Sequence, residues 1–127
     1  KELFYCDFLN YKESGYSITG LEYARLPFGP VPDDYEDIIC SLIEDKQLQC
    51  ITEIVNGVEK NTLKSTSEFS KEVFSNEELE VIERVIKKFK DFTVGKIEDY
   101  SHEERAWKET KTGQMISYEY SFDINLS

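Results

Sequence analysis

The chain has 127 residues, 39% of them hydrophobic, which is enough apolar material for one folded domain and excludes disorder throughout. Its formal net charge of −11 argues against direct nucleic-acid binding, which needs clustered Lys and Arg, and favours a basic protein partner. No apolar run approaches the ~20 residues of a membrane span and no signal peptide opens the chain, so we expect a cytoplasmic protein.

The first predicted element is a helix over Glu2–Tyr11 that is apolar nearly all round, which is typical of a helix at the centre of a domain. Asp7 interrupts this pattern, either as a solvated carboxylate or as a buried acid that holds a hydrogen-bond network. Gly15 is the expected left-handed cap. Because helix interior begins at once after Lys1, without a start methionine, we expect the chain to be part of a longer protein.

The stretch 17–35 contains all three prolines and two of the six glycines. These residues are Gly20, Pro27, Gly29, Pro30 and Pro32. Since proline fixes its own φ and biases the preceding residue away from helix, P-F-G-P-V-P predicts a rigid connection between extended residues at Leu21–Leu26 and a helix that begins near Pro32. The alternative is an ordinary loop in which prolines collect.

The next predicted helix begins with four acidic residues, which complement the positive end of the helix dipole. These residues are Asp33, Asp34, Glu36 and Asp37. The cluster resembles a metal site, but dense acids at a helix start are more typical of a solvated face. Apolar residues follow at spacings of three and four and predict a stripe that faces the core. The stripe consists of Tyr35, Ile38, Ile39, Leu42 and Ile43.

Asn56-Gly57 lies between the strand-like runs Leu48–Val55 and Val58–Lys64, which predicts a β-hairpin. Thr62–Val73 is polar and is expected to form a loop with at most a short strand or turn.

Two capping boxes are predicted in the C-terminal half, Ser75–Glu78 and Ser101–Glu104. The first opens a helix that ends near Phe89 with lysines in its last turn. Thr93 caps a short helix, and the second box opens a helix that holds Trp107.

Residues 116–124 alternate strictly between apolar and polar types, which predicts a strand that could join the sheet of the hairpin. The apolar members are Ile116, Tyr118, Tyr120, Phe122 and Ile124.

Few residues carry recognisable chemistry. Cys6, Cys40 and Cys50 are expected to be free thiols in a reducing cytosol, the first two as core residues. His102 is the only histidine and could serve as a general base with Glu103 as its orienter. We favour local contacts at a helix N-terminus instead, because sequence neighbours on a helix do not face each other. No cofactor, metal set or catalytic residue is predicted.

Three segments resemble the Panacea domain, a SocA-like antitoxin domain. They are Y-C-D-F-L-N-Y-K (Tyr5–Lys12), the stretch 17–35, and S-H-E-E-R-A-W-K-E-T (Ser101–Thr110), with Glu77–Phe92 and the I-S-Y-E-Y tail matching as well. Arg105 stands where proline is frequent in the family, and Phe28 where tyrosine is common.

The resemblance implies a helix-dominated α+β fold of about five helices with a small antiparallel β element. It also implies an antitoxin of a bacterial or phage toxin–antitoxin pair that binds and neutralises a toxin protein. From the same resemblance we expect an additional N-terminal segment, which binds zinc or DNA in some relatives. We therefore expect residues 1–127 to form one non-enzymatic domain. The alternatives are a protease adaptor or general interaction module, and a small hydrolase-like enzyme around His102, Glu103 and Asp7.

The residues of interest divide into two groups. Exposed candidates for toxin binding are Asp33, Asp34, Glu36, Asp37, His102 and Glu103. Signature residues expected to serve the fold are Asp7, Gly20, Pro27, Gly29, Pro30, Pro32 and Trp107, the last as a core anchor.

Overall fold

The computed structural model describes residues 1–65 and 71–126 and confirms the α+β class. Its strands form two separate two-stranded antiparallel sheets. The helices are α1 (Glu2–Ser14), α2 (Tyr35–Glu44), α3 (Asn76–Phe89), α4 (Val94–His102) and α5 (Arg105–Lys108), with 3₁₀ helices at Lys71–Val73 and Tyr118–Asp123. The strands are β1 (Tyr23–Leu26), β2 (Gly29–Pro32), β3 (Leu48–Val55) and β4 (Val58–Ser65). The chain divides into two compact units, Lys1–Asp33 with Glu72–Ser127, and Asp34–Lys71.

Helix α1 is the centre of the first unit, as its composition predicted. All seven residues from Phe4 to Asn10 are buried, and Gly15 ends the helix in the left-handed conformation. Its aromatic rings pack against α3 and the C-terminal segment, with the rings of Tyr5 and Phe89 centred 4.8 Å apart. The core therefore forms around a helix that has almost no solvent-facing side.

The proline-rich stretch forms a β-hairpin, so the prediction of a connection that leads into a helix at Pro32 was wrong. Strand β1 pairs with β2 in antiparallel register from Tyr23 opposite Pro32 to Leu26 opposite Gly29. Pro30 and Pro32 lie on β2, an edge strand, where a proline is tolerated although it has no N–H to donate to the ladder, and Pro27 lies in the turn. Helix α2 begins only at Tyr35.

The C-terminal alternation was also wrongly interpreted, because residues 118–123 form a 3₁₀ helix and only Met115 makes a β-bridge, to Ala24. Ser121 and Ile124 are buried and Tyr118 is half-buried. This spacing of three residues matches one turn of a 3₁₀ helix, and it buries the polar Ser121 while Phe122 remains 62% exposed, so burial does not follow the apolar alternation.

The second unit consists of α2 and the hairpin β3–β4. The hairpin has the predicted Asn-Gly turn, with Val55 opposite Val58. Strand β4 extends to Ser65, one residue beyond the predicted end, and residues 66–70 of the predicted loop lie outside the described part of the chain. Helix α2 buries no residue completely, so the prediction that its stripe faces a core was wrong. Cys40 is exposed and is not a core residue either.

The first predicted capping box is confirmed and the second is wrong. The Ser75 hydroxyl accepts from Glu78 N–H, and the Glu78 carboxylate accepts from Ser75 N–H. Thr93 likewise caps α4. Ser101 instead lies inside α4, where its hydroxyl donates to the Glu98 carbonyl at 2.8 Å.

Candidate functional site

Asp7, in the segment Tyr5–Lys12, is fully buried and links that segment to the stretch 17–35. One carboxylate oxygen accepts from the N–H groups of Ile18 and Thr19, at 2.8 and 2.9 Å. The other accepts from the hydroxyls of Thr19 and Tyr23, both at 2.5 Å. Of the two interpretations left open by the sequence, the structure shows the buried acid with a hydrogen-bond network. Four donors compensate the desolvation of this charge, so the role of Asp7 is to hold residues 18–23 against α1.

Glu104 likewise links the segment Ser101–Thr110 to the segment Tyr5–Lys12. Its carboxylate is buried and accepts from the Tyr5 hydroxyl at 3.0 Å and from Asn125 N–H at 3.1 Å. Burial raises the pKa of the Glu104 carboxyl above its ordinary value, and the two hydrogen bonds partly oppose that rise. Burial and the neighbouring carboxylate raise the pKa of Tyr5 as well.

Gly29 and Ser101 fix the approach of the hairpin to α4. Gly29 has a φ of +122°, and an added Cβ there would lie 2.8 Å from the Ser101 hydroxyl oxygen. Pro30 is fully buried beside it. Gly20 also has positive φ, at +75°, but nothing lies close to it. Pro27 lies in the exposed hairpin turn and Pro32 is half-buried at the end of β2.

Trp107 does not anchor the core as predicted, because it is only half-buried and lies outside the core cluster. Its ring stacks on His102 with centroids 4.0 Å apart, and the Arg25 guanidinium lies 3.8 Å from its centroid. Arg25 also donates to the Thr110 carbonyl at 2.7 Å. The stack therefore ties β1 to the α4–α5 region by a cation–π contact, a role for Arg25 that the sequence did not indicate.

The catalytic alternative brought together His102, Glu103 and Asp7. Asp7 makes all its polar contacts with residues 18–23, whereas Glu103 pairs with Lys108 at 3.0 Å. His102 is half-buried against Trp107. The three side chains thus have separate partners, with no shared hydrogen bond among them in the described residues.

The four acids at the start of α2 are exposed, as predicted. Asp34 is the N-cap residue, but its side chain makes no capping hydrogen bond. Within residues 1–65 and 71–126, no carboxylate among Asp33, Asp34, Glu36 and Asp37 has a hydrogen bond or an ion pair. These charges are therefore available to a partner, in contrast to the satisfied carboxylates of Asp7 and Glu104.

Helix α2 also carries an open groove of about 460 Å³. We call it the α2 groove, and its lining residues are Asp34, Asp37, Ile38, Ser41 and Leu42. They recur at spacings of three and four and so share one face of the helix. Asp34 and Asp37 form its acidic end, and half-buried Ile38 and Leu42 form its apolar floor. The sequence predicted the stripe but not that this face is open.

No group of three or more His, Cys, Asp or Glu side chains in the described part of the chain is arranged to hold a metal ion. Among the same residues, no helix is long and apolar enough to cross a membrane.

The family model for the SocA-like antitoxin, Panacea domain, matches residues 1–108. The chain belongs to this family. No curated protein and no solved structure matches it. The match confirms the resemblance predicted from three segments and gives this Panacea domain a role in a toxin–antitoxin system. In the structure those three segments meet through Asp7, Glu104, Gly29 and the Trp107 stack, so these signature residues are explained by the fold.

Proposed function

We propose that this Panacea domain neutralises a cognate toxin protein by stoichiometric binding and not by catalysis. The observation that carries the proposal is the set of four exposed, unpaired carboxylates at the start of α2, on an antitoxin-family chain with a net charge of −11. Because none of the four is engaged within the described residues, the negative potential they create is directed at solvent and at whatever approaches from it.

The physical role of this charge is to attract and then cover a basic surface. Proteins that act on nucleic acid or on translation carry clustered Lys and Arg, which contact phosphates. An acidic domain binds such a surface in place of the polyanion, and the bound domain then excludes the substrate sterically. Complementary charge also accelerates the encounter of the two proteins.

A binding role also accounts for the side chains that suggested catalysis. The Asp7 carboxylate accepts four hydrogen bonds, and Glu103 has an ion-pair partner in Lys108. His102 stacks on Trp107. Each of these groups thus makes its contacts within the first unit, and none is shared with the other two. We place the pair in the reducing cytoplasm of a bacterial or phage-infected cell, where all three cysteines remain thiols.

The test is co-expression of the protein with the product of its neighbouring gene, with growth and co-purification scored together. We expect the neighbour alone to stop growth, and the pair to grow and to yield a stable complex. Between about 50 and about 500 mM salt, the association rate should fall roughly ten-fold or more, because screening removes the steering.

Other results would contradict the proposal in distinct ways. Rescue without any complex would indicate an enzyme that alters the toxin or its product. Rescue that disappears in a protease-deficient host, with the toxin accumulating, would indicate an adaptor. A salt-independent association rate would remove the electrostatic part while leaving binding intact.

A further inference from the structure

The α2 groove combines carboxylates that have no partner among the described residues with an apolar floor. Between positions 33 and 46 the chain has six acidic residues and one basic residue. Of the two acids that line the groove, Asp34 lies one turn before Ile38 and two turns before Leu42, and Asp37 directly precedes Ile38. An occupant would thus meet negative charge at the N-terminal end of the helix and aliphatic side chains along the next two turns.

The helix has little else to cover its apolar residues. Among residues 34–59 and 63–65 of the second unit, none is fully buried. On α2 itself, the two apolar residues that line the groove, Ile38 and Leu42, are only half-buried. An amphipathic helix normally derives its stability from burial of its apolar face, so an uncovered face indicates a binding surface.

Charge decides which occupant fits. A second copy of the chain would carry the same net charge of −11, and a two-fold contact over the groove would place Asp34 and Asp37 against the acids of the other copy. Like charges brought together at an interface are unfavourable. The complementary occupant is a segment with Lys or Arg facing the acidic end and an aliphatic side chain over Ile38 and Leu42.

We propose that the α2 groove is the site where the domain binds its toxin, through a basic segment of the toxin that carries an aliphatic anchor. This inference rests on the proposed function and adds to it the surface and the chemistry of the partner. Binding of a helix or strand of the toxin in this groove would cover the apolar floor and pair the two free carboxylates.

The experiment measures the affinity of the full chain for the product of the neighbouring gene, with matched substitutions inside and outside the groove. Asp34→Lys/Asp37→Lys tests the acidic end. Its control is Glu80→Lys/Glu83→Lys, which has the same spacing and changes the net charge equally, on exposed residues of α3. Leu42→Arg tests the floor, and Ile86→Arg on α3 is its control, since Ile86 is a 54% exposed helical isoleucine.

We expect each groove variant to weaken binding at least about ten-fold, and each control less than about three-fold. Because lysine at a helix start opposes the dipole, Asp34→Asn/Asp37→Asn serves as a second variant that keeps the size and capping ability of both side chains. It should also weaken binding, with an unchanged thermal midpoint. A benzophenone placed at Ser41 should crosslink to the toxin, and one placed at position 86 should not.

Failure of the inference can be distinguished from failure of the proposed function. If the wild-type chain does not bind the neighbouring product, both are wrong. If the wild type binds but groove and control variants weaken binding equally, only net charge matters and the groove is not the site. If Leu42→Arg converts a dimer into a monomer without the toxin present, the groove belongs to a second copy.

Discussion

The two compact units of this domain differ in what they bury. The first unit buries two carboxylates, Asp7 and Glu104, and satisfies both with hydrogen bonds. The second leaves Ile54 79% exposed and Val58 68% exposed, and none of its residues 34–59 and 63–65 is fully buried. The first unit also exposes aliphatic side chains, with Val94 76% exposed, so the units differ in what they bury and not in what they expose. Burying a charge is costly, and the first unit offsets that cost with the hydrogen bonds that it supplies.

The difference separates residues that specify the fold from residues available for binding. In the first unit, the buried carboxylates of Asp7 and Glu104 have partners within the chain, and their loss should lower stability. In the second unit, the carboxylates of Asp34 and Asp37 lack such partners in the described structure, and their loss should lower the affinity for the toxin. The same substitution chemistry should therefore have different consequences in the two units.

The largest expected effect is at Asp7. Asp7→Ala removes the acceptor for four donors in a buried site, and we expect a loss of about 3–5 kcal/mol in the free energy of unfolding. Asp7→Asn should cost less, because its amide oxygen still accepts from Ile18 and Thr19 while both hydroxyls can turn to accept from its NH₂. Urea unfolding of the three proteins measures this; a loss below about 1 kcal/mol in Asp7→Ala would contradict the network.

Gly29→Ala should have the next largest effect. The positive φ of +122° and the approach to Ser101 together predict a loss of about 2 kcal/mol. Gly20→Ala is the matched control, since Gly20 also has positive φ but no neighbour within 4 Å, and it should cost about 1 kcal/mol. If the two losses are equal, the contact between β2 and α4 contributes nothing; Ser101→Ala should reduce the penalty at Gly29 if the contact matters.

Glu104 gives a pH-dependent comparison. Since burial raises its pKa in the folded state, its contribution to stability is fully present below the ordinary value and is lost as the pH rises through the folded pKa. Glu104→Gln stays neutral at every pH. The unfolding free energy of the variant relative to wild type should therefore increase between about pH 4 and pH 7.

The control for this measurement is Glu103→Gln at the adjacent, exposed position. This variant removes a carboxylate that lies at the surface, so it separates the effect of losing an acid from the effect of losing a buried one. A flat difference for Glu104→Gln would show that the buried carboxyl does not titrate differently on unfolding.

Features decided by neighbouring residues were predictable from the sequence. The left-handed cap at Gly15, the capping box at Ser75 and the Asn56-Gly57 turn each depend on a few adjacent residues, and all three are present. The 3₁₀ helix at 118–123 was missed because the apolar alternation indicates a strand, whereas the helix buries the polar Ser121 and stacks Tyr118 on Phe8 of α1.

In the candidate site, too, features decided by neighbouring residues were predictable, and features that depend on distant residues were not. Exposure of the acids from Asp33 to Asp37 followed from their position at a helix start. The burial of Asp7 could not be settled, because its donors lie 11 to 16 residues away. Nor did the periodicity of α2 reveal that its groove stays open, since an amphipathic pattern shows that a helix has an apolar face but not what covers it.

The three thiols allow the two units to be compared by their reactivity. Their substitution has the smallest expected effect on stability. Cys6 lies in the core of the first unit, and burial raises the pKa of its thiol to about 12, whereas Cys40 and Cys50 are exposed in the second unit. A disulfide reagent should therefore modify two thiols rapidly and the third only as the protein unfolds, because the thiolate is the reactive species. Cys40→Ser and Cys50→Ser should each change the unfolding free energy by less than about 0.5 kcal/mol. Rapid modification of Cys6 in the native protein would mean that the first unit opens as readily as the second. The two units would then differ in composition but not in stability.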